Sequence, residues 1–240
     1  MPLSRVVAIH QPNFFPWLGY FDKIARADVF ILMDNAQFPK TGGTWSNRVK
    51  LLVGGRAAWV TVPIVRTFHG TRRICEMQIN DATLWRDRLE KTIRMNYART
   101  PRFETAFALI AECLSNSTVS LSDYNIAAIR AVMAGLQLDQ SKLVLGSTLN
   151  AEGNATDLLI TMTKAVGGTA YLCGGGASGY QLDEKFPAAG IQLVHQRFRH
   201  PLYPQVSGAE FVPGLSVIDA LMHCGFESTR ALIEEGGAGA

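Results

Sequence analysis

The stretch Val6-Val7-Ala8-Ile9-His10-Gln11-Pro12-Asn13-Phe14-Phe15-Pro16-Trp17-Leu18-Gly19-Tyr20-Phe21-Asp22-Lys23-Ile24 decides the fold. Its first four residues form an apolar, largely β-branched run with the length and composition of a buried strand. Two prolines then stop the strand and prepare a helix over Pro16–Ala25. Pro16 suits the first helical position, because its φ is already helical and its missing N–H is not needed there. A second apolar run, Val29-Phe30-Ile31-Leu32-Met33, lies in a strand read over Asp28–Asp34 and completes a β-α-β unit. His10, Gln11 and Asn13 fall where strand turns into helix, at the carboxyl edge where open parallel sheets bind ligands.

Working outward, further strands are expected at Arg5–His10, Ala57–Pro63, Lys142–Leu145, Ala170–Cys173 and Ile191–His195. Arg48–Leu52 and Ala57–Val62 flank the turn Val53-Gly54-Gly55-Arg56, the pattern of a hairpin inserted after the second strand. Apolar residues at helical spacing predict helices over Ala82–Asn96, Pro101–Ser115, Ser120–Gly135 and Asn154–Val166. Ser120 is placed to cap the third of these and Gly135 to stop it. The expected architecture is α/β: a doubly wound, mostly parallel sheet of Rossmann-like, HUP type, with an inserted hairpin and a helical subdomain. It reads as a single α/β domain over residues 1–233, with the helical insert at about 82–136. The acidic, Gly/Ala-rich residues 234–240 read as a frayed, flexible tail.

Composition narrows the function classes. The 240 residues are 48% hydrophobic and only 18% charged, with a net charge of +3, which describes a globular chain with a large core. The basic residues Arg66, Arg72, Arg73, Arg86, Arg88, Arg94 and Arg99 are interspersed with acids and suit a solvated helix face or a phosphate contact. No nucleic-acid motif is present, so DNA is not an expected partner. Cys75, Cys113, Cys173 and Cys224 are scattered, form no CxxC pair and follow no secretory leader, which predicts a reduced, cytoplasmic protein without a metal motif. No apolar run approaches the roughly 20 residues needed to span a bilayer, so no membrane partner is expected.

The candidate site gathers at the ends of the first two strands. The second strand ends in Asp34, with Gln37 close behind and Trp45, Ser46, Asn47 and Arg48 following. If the strands are parallel neighbours, Asp34 and His10 end on one sheet edge. A His beside an Asp is either a general base with its tautomer fixed by the carboxylate or a contact that merely fixes the loop. Gln11, Asn13, Gln37 and Asn47 offer neutral donors and acceptors for an amide or a sugar hydroxyl. Arg48 suits a phosphate or carboxylate, or a place on the hairpin surface. Trp17, Tyr20 and Trp45 offer aromatic faces for a base or sugar, whereas Phe14, Phe15 and Phe21 read as core and Lys23 as a solvated lysine. The run Gly174-Gly175-Gly176-Ala177-Ser178-Gly179-Tyr180 follows a strand, and its glycines permit close backbone approach to a ligand. Cys173 reads as a small core residue, because no basic partner is identifiable from the sequence.

These segments together resemble the WbqC-like proteins. The matching stretches are HQPNFFPWLGYFDKI (10–24), ADVFILMDNAQF (27–38), WSNRVKL (45–51), YLCGGGASGY (171–180), Tyr203-Pro204-Gln205, and Phe211 with Leu215–Asp219. The resemblance implies work on surface-polysaccharide sugars such as those of the O-antigen. The implied reaction is transfer of an amino acid, glycine in particular, onto the amine of a nucleotide-linked deoxy amino sugar. Gln205 joins the substrate-binding set on this ground, as do Gly176 and Tyr180. Cys173 stands where the family run usually carries serine. A weaker similarity links the strand–turn–helix segment to the HxGH nucleotidylyltransferases and pantothenate synthetase, with Trp17 and Tyr20 in place of the two histidines that stabilise charge on a transferring phosphate.

Three functions follow as expectations. The first is an aminoacyl or acyl transferase that forms an amide on a nucleotide-linked amino sugar, in which His10 takes a proton and Asp34 orients it. An acyl or aminoacyl carrier is then a partner. The second is an ATP-using ligase or nucleotidyltransferase, with ATP as cofactor. The third is a non-catalytic protein that binds a nucleotide sugar or a partner enzyme.

Overall fold

A computed structural model describes residues 4–175, 181–206 and 210–238. Strand β1 (Val6–His10), helix α1 (Leu18–Arg26) and strand β2 (Val29–Leu32) form the expected β-α-β unit. The two strands are parallel, with Val7 against Val29 and His10 against Leu32. A short strand β3 (Gln37–Phe38) and the hairpin β4 (Arg48–Val53) and β5 (Arg56–Thr61) follow, and β6 (Arg72–Arg73) returns antiparallel to β3. Helices α2 (Trp85–Tyr97), α3 (Phe103–Ser115) and α4 (Leu121–Gly135) lead back to the sheet at β7 (Leu143–Leu145). Then come α5 (Ala155–Ala165), β8 (Ala170–Cys173), α6 (Lys185–Ala188), β9 (Gln192–His195) and α7 (Val217–Ala238).

The main sheet has five strands in the order β7-β2-β1-β8-β9, all parallel. Alternation along the strands builds two cores. Ala8, Phe30, Leu32 and Leu172 face one way and join a large cluster with α1, α2, α3, α4 and α7. Val7, Ile9, Val29, Ile31, Tyr171 and Cys173 face the other way, against Leu159 and Met162 of α5 and Phe186 of α6. Helices on both faces of a parallel sheet make this a Rossmann-like α/β fold. Chain order reverses between β1 and β8, and the crevice beyond their carboxyl ends is the topological switch point.

Three local expectations are corrected. Helix α1 begins at Leu18 rather than Pro16, and Trp17 stays extended at φ −77° and ψ 166°. The reason is tertiary: the Val217 N–H donates to the Pro16 carbonyl at 2.8 Å and Trp17 bridges to Ser216, so this segment is held as a strap under α7. Ser120 caps α4 through the Asp123 N–H as expected, but the left-handed residue beyond the helix is Gln137, at φ 54°. Gly135 instead provides room, because a β-carbon there would strike the Phe226 ring. Residues 234–238, read as a frayed tail, continue α7, where buried Gly236 packs on Phe198 and its carbonyl accepts from the Arg199 N–H at 3.0 Å. Helix α7 breaks only at Gly225, whose φ of 77° an L-residue adopts at a cost. Among the described residues no helix is long and apolar enough to cross a membrane.

Candidate functional site

The loop joining β1 to α1 is pinned from three sides. The buried Asn125 amide, from α4, donates to the carbonyls of Pro12 (2.9 Å) and Ser46 (2.7 Å). The Phe14 N–H donates to the Trp45 carbonyl at 2.9 Å, and Ser216 Oγ donates to the Phe15 carbonyl at 2.7 Å. These bonds hold Phe15 at φ 38°, an unusual conformation for a bulky residue that persists only where its surroundings fix it. Gly19 opens α1 without a side chain because the Trp17 ring lies where its β-carbon would be.

The result is a cleft of about 530 Å³ at the switch point, within the range of small-molecule sites. His10, Gln11, Asn13, Trp17, Tyr20, Trp45, Gly174 and Gly175 all line it. Lys23, Tyr171, Gln196 and His200 line it too, and sequence reading had not placed them there. Gly176 and Tyr180 lie outside the described residues.

The other candidates are engaged elsewhere. Asp34 does not pair with His10: its carboxylate accepts from the Ser147 N–H (2.8 Å) and from Ser147 Oγ (2.6 Å). Asn47 is buried and spent on its own loop, accepting from the Thr44 N–H and donating to the Val62 carbonyl. Arg48 stacks on Trp59, 4.3 Å from the ring centroid, and the exposed Gln37 pairs across from Arg73 on the β3–β6 ribbon. Gln205 holds Val212 from both sides and reaches Asp219. Asp219 is fully buried and also accepts from the hydroxyls of Tyr97 (2.9 Å) and Tyr203 (2.8 Å). The residues Tyr203, Gln205 and Asp219, read as a motif, thus tie α2 to α7 and hold Val212 beside them. Burial raises the Asp219 pKa, while His223 and the three side-chain donors oppose that rise.

Within the cleft, charge is sparse. Lys23 was expected in solvent but is buried, and its ammonium donates to the Ile9 carbonyl at 3.0 Å. Desolvation pulls its pKa down to about 8, against the opposing pull of Cys173 and Asp22. His10 keeps one face toward the cleft, but its ring packs edge-on to Tyr20 at 4.8 Å and its Nδ1 lies 3.2 Å from the Gln11 carbonyl. Desolvation, then repulsion from Lys23, lowers its pKa to about 3, so the imidazole is neutral near pH 7. Burial raises the Tyr20 pKa, and its hydroxyl donates to the Gln11 carbonyl at 3.0 Å. Gln196 bridges the Gly19 carbonyl and the Asp22 carboxylate, fixing the floor below Gly174. The lining therefore offers one ammonium, neutral amides and imidazoles, and aromatic rings, a set matched to an anionic ligand that carries a polar ring.

A second arrangement was invisible in the sequence. Parallel pairing sets Cys173 opposite His195, and Cys173 Sγ lies 3.2 Å from His195 Nδ1. The basic partner missing from the sequence reading is thus on the adjacent strand.

The chain is similar to the uncharacterized protein Rv1507c of Mycobacterium tuberculosis, with 29% identity over 228 residues, 93% of this chain and 96% of that protein. No solved structure matches it. The family model for the WbqC-like protein family matches residues 11–231, which include the cleft lining except Ile9 and His10. The chain belongs to the WbqC-like protein family.

Proposed function

We propose that the protein is a transferase that forms an amide on a nucleotide-linked amino sugar, accepting an aminoacyl or other acyl group from an activated carrier, in the cytoplasm. The observation that carries this reading is the switch-point cleft, where one buried ammonium, Lys23, faces neutral polar groups and aromatic rings. The Lys23 ammonium suits the diphosphate of a nucleotide sugar. Trp17, Tyr20 and Trp45 suit its rings, and Gln11 and Asn13 its hydroxyls. His10 works here as a neutral acceptor, since an imidazole with its pKa near 3 is a weak base at neutral pH. It orients the sugar amine, and the like charge of nearby Lys23 disfavours an ammonium beside it. Both effects deliver the amine neutral, the form that attacks an acyl carbon.

The test is direct. A nucleoside-diphosphate-linked deoxy amino sugar is incubated with the protein and a glycyl donor, supplied in turn as a thioester, as aminoacyl-tRNA, and as free glycine with ATP. Mass spectrometry is expected to show an N-acylated nucleotide sugar with one of the first two. ATP-dependent release of AMP or pyrophosphate assigns the cleft to a ligase instead. Tight binding of the sugar with no product from any donor leaves a binding protein.

A further inference from the structure

The carboxyl ends of β8 and β9, together with the turn before α6, assemble a thiol, an imidazole and a carboxylate in series. Cys173 Sγ lies 3.2 Å from His195 Nδ1, and on the far side of the ring His195 Nε2 lies 3.5 Å from Asp183 Oδ2. The other carboxylate oxygen of Asp183 accepts from Gln181 Nε2 at 2.7 Å, which fixes the acid in place. This is the order in which a nucleophile, the base that takes its proton, and the group that orients the base are arranged for covalent catalysis. A cysteine that only fills core has no use for such a series.

The thiol also has somewhere to act. Cys173 and His195 line a cavity of about 470 Å³ together with Trp17, Gly175, Gln196 and Phe198. Trp17, Gly175 and Gln196 line the switch-point cleft as well, so the two spaces share a wall. The His195 and Asp183 side chains are half exposed, which leaves the base free to exchange its proton with water. Burial first and the Asp183 charge after it raise the Cys173 pKa, opposed by the Gln181 amide and the Lys23 charge, so the thiol is protonated at rest and needs a base within reach. His195 is that base.

We propose that Cys173 is a nucleophile that carries the acyl group as an S-acyl enzyme, with His195 as its proton acceptor and Asp183 as a positioning residue. The proposal deepens the amide-forming reading and rests on it for the acceptor. The donor is an acyl thioester or an aminoacyl ester. His195 Nδ1 takes the thiol proton as sulfur bonds to the acyl carbon. The carrier's sulfur or oxygen leaves with the bonding pair and takes the proton from His195. The neutral sugar amine then attacks the S-acyl carbon, the C–S bond breaks, and the proton lost by nitrogen returns to sulfur through His195. No oxidant or reductant is involved.

The experiment treats the full chain with the glycyl thioester of N-acetylcysteamine and locates the adduct by peptide mass mapping, with partly exposed Cys75 and Cys224 as internal references. Cys173 is expected to acylate at least tenfold faster than either. His195→Gln is expected to slow this by on the order of 10²-fold with melting unchanged. Asp183→Asn is expected to slow it less, and to move the pH–rate profile toward the titration of the thiol alone. A Cys173 rate no faster than the reference cysteines, or one indifferent to His195→Gln, overturns the proposal. If wild type and Cys173→Ala form amide product equally, the nucleophile is wrong and the amide-forming reading survives. If Cys173 acylates in a His195-dependent way while no amino sugar accepts the group, the nucleophile survives and the acceptor reading fails.

Discussion

Ser147 closes both of its donors on Asp34, the backbone N–H at 2.8 Å and Oγ at 2.6 Å, and so ties the turn after β7 to the end of β2. The carboxylate that looked like a partner for His10 is a brace between two strand ends. Asp34→Asn or Ser147→Ala is therefore expected to cost about 1–3 kcal/mol of stability. Nucleotide-sugar affinity should be unchanged. A double-mutant cycle in denaturant unfolding is expected to show coupling between the two positions. Independent effects at 34 and 147 would refute the brace.

Lys23 predicts a pH dependence of binding. With its pKa near 8, the ammonium is charged at pH 7 and is lost as pH rises through about 8. Affinity for a nucleoside diphosphate sugar, measured by titration calorimetry, is expected to fall over that range. Lys23→Met should weaken binding by about tenfold or more at pH 7 and flatten the profile. It should cost the fold little, since the lost bond to the Ile9 carbonyl is offset by removal of a buried charge.

His10 predicts an acid limb in stability. Its folded pKa, about 3, is below the unfolded value near 6.5, so as pH falls through this window the unfolded chain takes up a proton that the folded one refuses. Stability is expected to fall with decreasing pH between about 6.5 and 3, by up to about 1.4 kcal/mol per unit from this residue. His10→Gln should show a shallower acid limb than wild type in denaturant midpoints taken across that range. Parallel curves would place the imidazole in contact with water.

Asp219 predicts a large structural effect. Its removal orphans the Tyr97 and Tyr203 hydroxyls and one Gln205 bond in the interior. Asp219→Ala is expected to cost several kcal/mol, at roughly 1–3 for each buried group left unpaired. Tyr203→Phe, which deletes a single donor, should cost about 1 kcal/mol. Thermal melting of the two variants separates these outcomes.

Much of the fold was legible because its signals are local. β-branched runs marked β1 and β2, a short apolar run ahead of the glycines marked β8, the glycine pair marked the β4–β5 turn, and helical periodicity marked α2 to α5. The rule that parallel sheets bind at their carboxyl edge was enough to place His10, Gln11, Asn13 and Gly174 at a cleft. Polar composition could not separate ligand groups from loop bonds, so Asn47 read like a site residue, and the family resemblance added Gln205, although their own loops consume both. Lys23 read as solvated because a lysine two turns into a helix usually is; its burial comes with its bond to the Ile9 carbonyl at the end of β1. His195 lies 22 residues beyond Cys173, and only the β8–β9 register brings them together. The last helix went unread, and with it the anchoring of Trp17.

The bond from Ser216 Oγ to the Phe15 carbonyl joins residues 201 positions apart. A ribosome making this protein has finished β1, α1 and β2 long before Ser216 exists. The nascent chain must therefore carry the β1–α1 loop without its final clasp until Ser216 has emerged, whichever parts of the sheet have already condensed. Closure of the β1–α1 loop thus waits for residue 216 to emerge. A lesion at Ser216 would be felt first at Phe15, 201 residues upstream.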